Sequence, residues 1–522
     1  MSIVHSHFDI GRGPARTGFL LLGTPAEDAE LREHPAGLQA SPLWLASILV
    51  ATALATAANI TGVVSGPASA ALPLGIALIW LVASRPNVGC WLLLVGVPLT
   101  VGLGRNTIVP FLRPNEALVA IVSSALLIVH LAHPSRRRFM GLDIAITTFA
   151  AAGTLVPLSL LILGHTSLDV ELWFTCLAPI QGLLVYIIFS RARLSHWDLR
   201  IAFHCLMAVS MLIALVGFAQ LINVPGIRDF LVKYYSGAGE TARYCTASNC
   251  RPTSLLEHYS SFGAFGMLNY AVALALLTVR HPGFPKPWLM SVMAVNALVA
   301  LASQTQAAVV GIVLVTVLVL LNQRRVPSEL GPMALVLVVG IILLWPQIHT
   351  RLEQQLTGTN ASVTSPESLQ TRILYWNQFF IPMLREHIWL GTGTLISTEV
   401  PARLSNYVDN EYIRLGFRAG IGGIALFFVM LGTIVSVGLR QSRQSDAWTR
   451  TLGLLSVVYV ITLAAMGLTA EYFGFAGVSQ QFWAVSGLLA ASTVAIARTQ
   501  RTSLLPAPAT KRQLFVIRPG GQ

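Results

Sequence analysis

Charge is scarce in this chain. Of its 522 residues only 11% are Asp, Glu, Lys or Arg, where a soluble domain carries about a quarter. That shortage excludes a soluble globular enzyme. Acid is scarcer than base: 22 Asp and Glu stand against 34 Lys and Arg. The resulting charge of +12 is spread over many connections, which argues against a nucleic-acid partner and for positive charge at a membrane surface. Several motifs are missing too. There is no P-loop for a nucleotide, and no His, Cys and Asp constellation reads as a metal site. No internal repeat marks the two halves of a transporter. The first 42 residues are polar, so no cleavable signal peptide is expected.

What the chain has in quantity is apolar length. Hydrophobic residues make up 54% of it, and the mean hydropathy is +0.68. Runs of roughly 16 to 22 apolar residues recur from end to end, each near the length of a helix that crosses a bilayer. The runs are continuous rather than alternating, which rules out a transmembrane barrel and leaves helices. The sequence therefore predicts an all-α polytopic membrane protein of about 12–14 transmembrane helices with a large extracytoplasmic loop. Lys and Arg alternate between connections. One set holds Arg85; Arg136, Arg137 and Arg138; Arg191, Arg193 and Arg200; Arg280 and Lys286; Arg324 and Arg325; and Arg440, Arg443 and Arg450. The opposite short connections hold only Arg105 and Arg113. The positive-inside rule then puts both termini in the cytoplasm and two long polar islands outside. The expected organisation is a cytoplasmic tail (1–42), N-terminal helices (43–222), an outward loop (223–257), central helices (258–346), a large outward loop (347–411), C-terminal helices (412–497) and a disordered cytoplasmic tail (498–522).

The first island carries Arg228, Lys233, Arg243 and Arg251, with Cys245 and Cys250 as the only cysteines outside predicted spans. An outer compartment permits a Cys245–Cys250 disulfide beside Arg251; two free thiols are the alternative. Cys90, Cys176 and Cys205 read as packing residues. In the second island, 366–388 predicts an amphipathic helix with Leu369, Ile373, Trp376, Phe379 and Phe380 at three- and four-residue steps. A turn, Leu390-Gly391-Thr392-Gly393-Thr394, follows. The chain re-enters the membrane through Asp409-Asn410-Glu411-Tyr412, with Arg414 and Arg418 next on one helical face. Arginine forks grip phosphate oxygens in pairs and keep their charge when partly desolvated. An outward basic cup at membrane level suits a lipid-linked diphosphate. The alternative for Arg414 and Arg418 is that they snorkel at a helix end. Ser303-Gln304-Thr305-Gln306 is a polar break that is either a tight turn or the lining of an acceptor path.

Asp409-Asn410, then nine residues, then Gly420-Ile421-Gly422-Gly423 resembles the signature of the O-antigen ligase and O-antigen polymerase superfamily, bacterial membrane glycosyltransferases of the GT-C type. The ligase signature opens on His, where this chain has Asp409. Thr371-Arg372-Ile373-Leu374-Tyr375-Trp376 and Leu390-Gly391-Thr392-Gly393 resemble the family's arginine–tryptophan helix and the turn after it. Arg251-Pro252-Thr253-Ser254 resembles the arginine that precedes a span in the middle of these proteins. The resemblance implies a metal-independent enzyme without a cofactor. It would polymerise or transfer undecaprenyl-diphosphate-linked oligosaccharide units on the outer face of the bacterial cytoplasmic membrane. Its partners would be that lipid-linked donor, a glycan or lipid-linked acceptor and membrane lipids, with a flippase and a chain-length regulator as candidates. Metal-dependent GT-C enzymes would show an early outward Asp-x-Asp or paired Glu, and this chain has none.

By resemblance, Arg251 and Arg372 would hold the diphosphate, with Arg414 and Arg418 beside them. Asp409 is expected to be the catalytic base or, alternatively, the N-cap of the re-entering helix. Glu411 is the rival base. Asn410, Glu411, Trp376, Gly420 and Gly423 would support the site, the two glycines by close packing or simply as small residues in a span. Asp in place of His weakens the ligase assignment and fits a polymerase, whose acceptor is another lipid-linked repeat unit, or a transferase with a different acceptor. The competing class is a flippase for lipid-linked oligosaccharide. Ionisable residues deep in the spans are few, His204 being one, which favours chemistry at one face over passage through the bilayer.

Overall fold

The apolar runs fold as helices because a backbone removed from water must satisfy its own donors and acceptors. The computed structural model describes residues 50–53, 66–105, 108–109, 111–132, 139–164, 170–192, 194–235, 245, 250–323, 328–356, 367–395, 400 and 408–504. The expected N-terminal tail, most of the first span, Arg136, Arg137, Arg138, Arg193, Arg243, Arg324, Arg325 and Arg403, and the chain beyond Leu504 lie outside the described residues.

In chain order the helices are α1 (Gly66–Ser84), α2 (Pro86–Thr100), α3 (Pro114–Ala132), α4 (Gly141–Leu163), α5 (Val170–Arg191), α6 (His196–Leu221), α7 (Ile227–Tyr234), α8 (Tyr259–Val279), α9 (Lys286–Ala302), α10 (Gln306–Gln323), α11 (Leu330–Leu343), α12 (Trp345–Leu356), α13 (Glu367–Tyr375), a π-helical turn (Trp376–Phe380), α14 (Ile381–Glu386), α15 (Glu411–Gln441), α16 (Ala447–Met466) and α17 (Val478–Leu504). Among the described residues the only β-type pairings are two isolated bridges, Val109 to Leu112 and Cys245 to Cys250. Among the described residues seven helices (α3, α4, α5, α6, α8, α15 and α16) are long and apolar enough to cross a membrane, and α11 with α12 is a further candidate bent by 65°. Shorter apolar helices lie at Pro73–Ser84, Pro86–Thr100, Lys286–Ala302 and Gln306–Asn322. The chain is an all-α polytopic membrane protein. The first island contains a helix, α7, and α17 runs on to Leu504, past the expected boundary near residue 498.

The centre of the bundle is α8, packed against α6, α9, α10, α16 and α17. Polar side chains inside the bundle bond across helices. Asn269 donates to Gln481 (3.3 Å), Gln481 to the Tyr459 hydroxyl (2.8 Å), and that hydroxyl to the Leu268 carbonyl (3.1 Å).

Contacts between helix ends gather in two separate groups. In one, the Gly102 N–H bonds the Leu255 carbonyl, Arg113 pairs with Glu171 and Glu257, Gln304 donates to the Cys250 carbonyl, and the Glu411 N–H bonds the Gly467 carbonyl. In the other, Asn87 donates to Asp198 (2.9 Å), His204 lies 3.4 Å from the Gly283 carbonyl and Arg450 donates to the Val279 carbonyl (3.2 Å), and Arg85, Arg191, Arg200, Arg280, Lys286, Arg440 and Arg443 lie at or next to the ends of the helices in sequence. Arg105 and Arg113, the exceptions to the charge bias, are answered by acid. Arg105 pairs with Glu116 (2.8 Å) and Glu171 (3.1 Å), and Arg113 with Glu171 (3.0 Å) and Glu257 (2.8 Å).

Candidate active site

The segment that carries Arg251 is held from several sides. Cys245 and Cys250 are joined by a disulfide. The Gln220 side-chain carbonyl, at the end of α6, accepts the N–H groups of Thr253 (3.0 Å) and Ser254 (2.9 Å). The polar break at Ser303–Thr305 is a tight turn between α9 and α10, with Gln304 at φ 53°. Its backbone carbonyl accepts from Arg251 (3.3 Å), and its side chain donates to the Cys250 carbonyl (3.2 Å). The Arg251 guanidinium stacks 3.3 Å from the centre of the Tyr259 ring, a cation–π contact that aims it without neutralising it.

A second arm comes from α13 and its π turn. Arg372 and Trp376 are four residues apart and share a face. Arg372 Nε bonds Asp409 Oδ2 at 3.1 Å, and Trp376 Nε1 donates to the Val408 carbonyl at 2.9 Å. The π turn widens the helix and shifts its apolar phase. Phe380 is buried with Met383, Val408 and Phe417, whereas Ile373, expected on the apolar face, is 43% exposed.

Asp409 has φ 54°, in the left-handed region that Asp and Asn tolerate best among residues other than glycine. It does not cap the helix. Asn410 does: its side-chain oxygen accepts the N–H groups of Tyr412 (2.9 Å) and Ile413 (3.1 Å), and its amide donates to the Leu468 carbonyl (3.1 Å). The Asp409 carboxylate, 41% exposed, is turned to Arg372 instead.

Two residues that the sequence reading passed over tie the arms together. His258 caps α8 by accepting the Ser260 N–H at Nδ1 (3.1 Å). Burial, with Arg251 and Arg372 both nearby, lowers its pKa to about 3, so the ring is neutral at ordinary pH. Tyr472, between α16 and α17, is buried, and its hydroxyl pKa is raised by that burial. Arg372, Tyr259 and Asp409 all act on it. Arg251, Arg372 and Asp409 therefore lie close together beside His258, Tyr259 and Tyr472, a cluster called the cup below. A histidine beside a span and a tyrosine in a short loop carry no periodicity, and only the three-dimensional contacts single them out.

Other expected members are elsewhere. Arg414 is paired with Glu411 (2.8 Å) and Glu471 (3.1 Å). Glu411, 2% exposed, also accepts the Phe473 N–H (3.2 Å), so it is a buried anchor and not a rival base facing the cup. Arg418 is drawn into the bundle, where it donates to the carbonyls of Gly153 (2.8 Å), Thr175 and Cys176 (2.8 Å). Proline cannot donate to the carbonyl four residues before it, and Pro157 and Pro179 stand four residues after Gly153 and Thr175. Arg418 thus satisfies the two carbonyls that these prolines orphan. It is a clamp between α15, α4 and α5 rather than a diphosphate ligand or a snorkelling side chain. The two prolines inside apolar runs were the available sequence signal.

Gly420 explains the spacing of the glycine motif. Its φ of 60° and ψ of −162° break α15, in a region that is essentially glycine-only. A Cβ there would lie 2.1 Å from the Trp389 carbonyl oxygen. Through that gap the Ile421 N–H reaches the Ile388 carbonyl (2.8 Å), and the N–H groups of Thr392 (2.8 Å) and Gly393 (2.9 Å) reach the Phe417 carbonyl. Gly423 leaves room for the Ala419 methyl, 2.6 Å from where its own Cβ would be. The motif is a docking notch for the glycine turn of the large polar segment.

No curated protein matches this chain. A family model described as O-antigen ligase matches residues 289–428, a segment that includes Arg372, Trp376, Asp409, Asn410 and the glycine notch but not Arg251 or Glu471. Over that segment the chain is similar to the O-antigen ligase family, and the match, on a bundle of membrane-spanning helices, supports a membrane glycosyltransferase of the O-antigen ligase and polymerase superfamily.

Proposed function

We propose that the cup binds the diphosphate of a polyprenyl-linked glycan through Arg251 and Arg372, and that Asp409 is the base that activates the acceptor hydroxyl. The observation that carries this reading is the convergence of two arginines and one part-exposed carboxylate in a single cluster. The Arg372–Asp409 pair is open enough to be worth only about 0–1 kcal/mol, so a diphosphate can displace Asp409 from the guanidinium. Binding of the donor would then also release the base. The acceptor oxygen attacks the anomeric carbon, its proton passes to Asp409, and the sugar–phosphate bond breaks with its electron pair on the leaving lipid diphosphate. Fixed donors at such a leaving group contribute roughly 3–4 kcal/mol each, and a positioned base about 10²–10⁴-fold.

The basic connections fall in the other group of helix ends, which supports an outward cup in a bacterial cytoplasmic membrane with both termini inside. Asp409, at the position where the ligase signature has His, favours polymerisation, with a second lipid-linked repeat unit as acceptor. Purified protein supplied with one defined lipid-diphosphate oligosaccharide tests this. A ladder of elongated lipid-linked products is expected. Product only when a different acceptor is added would indicate ligase-type transfer, and lipid translocation without new glycosidic bonds would indicate a flippase.

A further inference from the structure

The match to the family model ends at residue 428, yet the loop between α16 and α17 contributes Tyr472 to the cup. We propose that Glu471, in that loop, is a positioning residue for the transfer reaction: fastened to Arg414 and to the Val408 N–H, it holds the backbone of Asp409 in its left-handed conformation beside Arg372, so that the carboxylate stays in place when the donor takes the guanidinium. This rests on the roles given above to Asp409 and Arg372.

Residues 408–411 are bolted to their neighbours around Asp409. The Val408 N–H donates to Glu471 Oε1 (3.3 Å), and the Val408 carbonyl accepts from Trp376 (2.9 Å). The Asn410 amide donates to the Leu468 carbonyl (3.1 Å). The Glu411 N–H donates to the Gly467 carbonyl (2.9 Å), and its carboxylate accepts the Phe473 N–H (3.2 Å). Asp409 sits in the middle of this clasp with its side chain turned to Arg372. Glu471 joins both halves, because its other oxygen, Oε2, takes Arg414 at 3.1 Å while Arg414 also holds Glu411 at 2.8 Å.

Two carboxylates thus share one guanidinium in a nearly dry place, with Glu471 16% exposed. Burial, with Glu411 and Asp409 adding to it, outweighs Arg414 and the Val408 N–H and lifts the Glu471 pKa to about 7. The charged groups around it are Arg414 and Glu411 from α15 and Asp409 just before that helix, with Arg372 of α13 beyond Asp409. The sign follows directly. Below about pH 7 Glu471 is protonated and its grip on Arg414 weakens; above it the carboxylate is ionised and the clasp is tight. Transfer should rise with pH through this range.

The test uses the full chain in lipid nanodiscs, with a defined polyprenyl-diphosphate oligosaccharide as donor, and follows kcat and KM across pH. Glu471→Gln should lower kcat about 10–100-fold on the alkaline side, the scale expected when a catalytic group is misplaced by a fraction of an ångström to one ångström. Donor KM should stay near the wild-type value, and the rise near pH 7 should vanish. Glu471→Asp should restore a rise, shifted and smaller. An infrared difference spectrum between about pH 6 and 8 should show a protonated carboxyl band that Glu471→Gln removes. A wild-type protein that makes no product counts against the transferase reading, and the infrared band then judges Glu471 separately. A Glu471→Gln protein with the wild-type kcat and pH profile overturns the proposal, as does a missing infrared band. If Glu471→Gln does not fold, Glu471→Asp with an unchanged profile and full kcat does the same.

Discussion

Arg418→Met isolates the clamp inside the bundle. The substitution keeps a long apolar side chain and removes the donors that reach the Gly153, Thr175 and Cys176 carbonyls. The first two of these have no helical partner to fall back on, because residues 157 and 179 are proline. A buried carbonyl left unsatisfied costs about 1–3 kcal/mol, so two of them should destabilise the protein by about 2–6 kcal/mol. The structure also states what should repair the loss. Pro157→Ala and Pro179→Ala return an N–H to each carbonyl, so the triple variant should recover most of the stability that Arg418→Met alone has lost. Thermal or denaturant unfolding of the purified protein in a fixed detergent measures each step, as a double-mutant cycle with the prolines as the second site. The reasoning is refuted if Arg418→Met is as stable as wild type, or if its cost is the same with and without the prolines.

Gly420→Ala should destabilise by at least about 1–3 kcal/mol from backbone strain alone, whereas Gly422→Ala, whose Cβ would meet nothing within 4 Å, should be neutral; equal melting points for the two would contradict the notch. Trp376→Phe removes one hydrogen bond to the Val408 carbonyl, worth about 1 kcal/mol, and should lower kcat by no more than about tenfold with little change in donor KM. Replacing Cys245 and Cys250 by Ser opens a loop with a sequence separation of 5, a loss of up to about 2 kcal/mol. It should raise donor KM through a looser Arg251 while leaving kcat at saturation unchanged.

The helices were legible because lipid leaves a chain few choices: continuous apolar runs at 114–132 or 259–279 can satisfy their backbones only as helices. Arg251, Arg372, Trp376 and Asp409 were legible as local motifs, each in a short sequence with its own signature. What those motifs do not encode is partner choice. Arg414 and Arg418 share a helical face at four-residue spacing, yet one meets two glutamates and the other meets carbonyls freed by prolines more than two hundred residues earlier. Asp409 and Asn410 are both good N-caps by type, and only the left-handed φ of Asp409 hands the capping role to Asn410. Ile373 fell on the wrong face because a π turn changes helical phase without a mark in the sequence. Glu471 and Tyr472 escaped notice because a short loop between two spans offers neither periodicity nor spacing to read.

The most direct measurement is glycosyl transfer by purified wild type, Arg251→Ala, Arg372→Ala and Asp409→Asn, each shown to be folded, from a defined polyprenyl-diphosphate oligosaccharide. New glycosidic product with wild type, weakened donor binding in the two arginine variants, and retained donor binding with kcat lowered about 10²–10⁴-fold in Asp409→Asn is the predicted pattern. Full turnover by Arg372→Ala or by Asp409→Asn would contradict it.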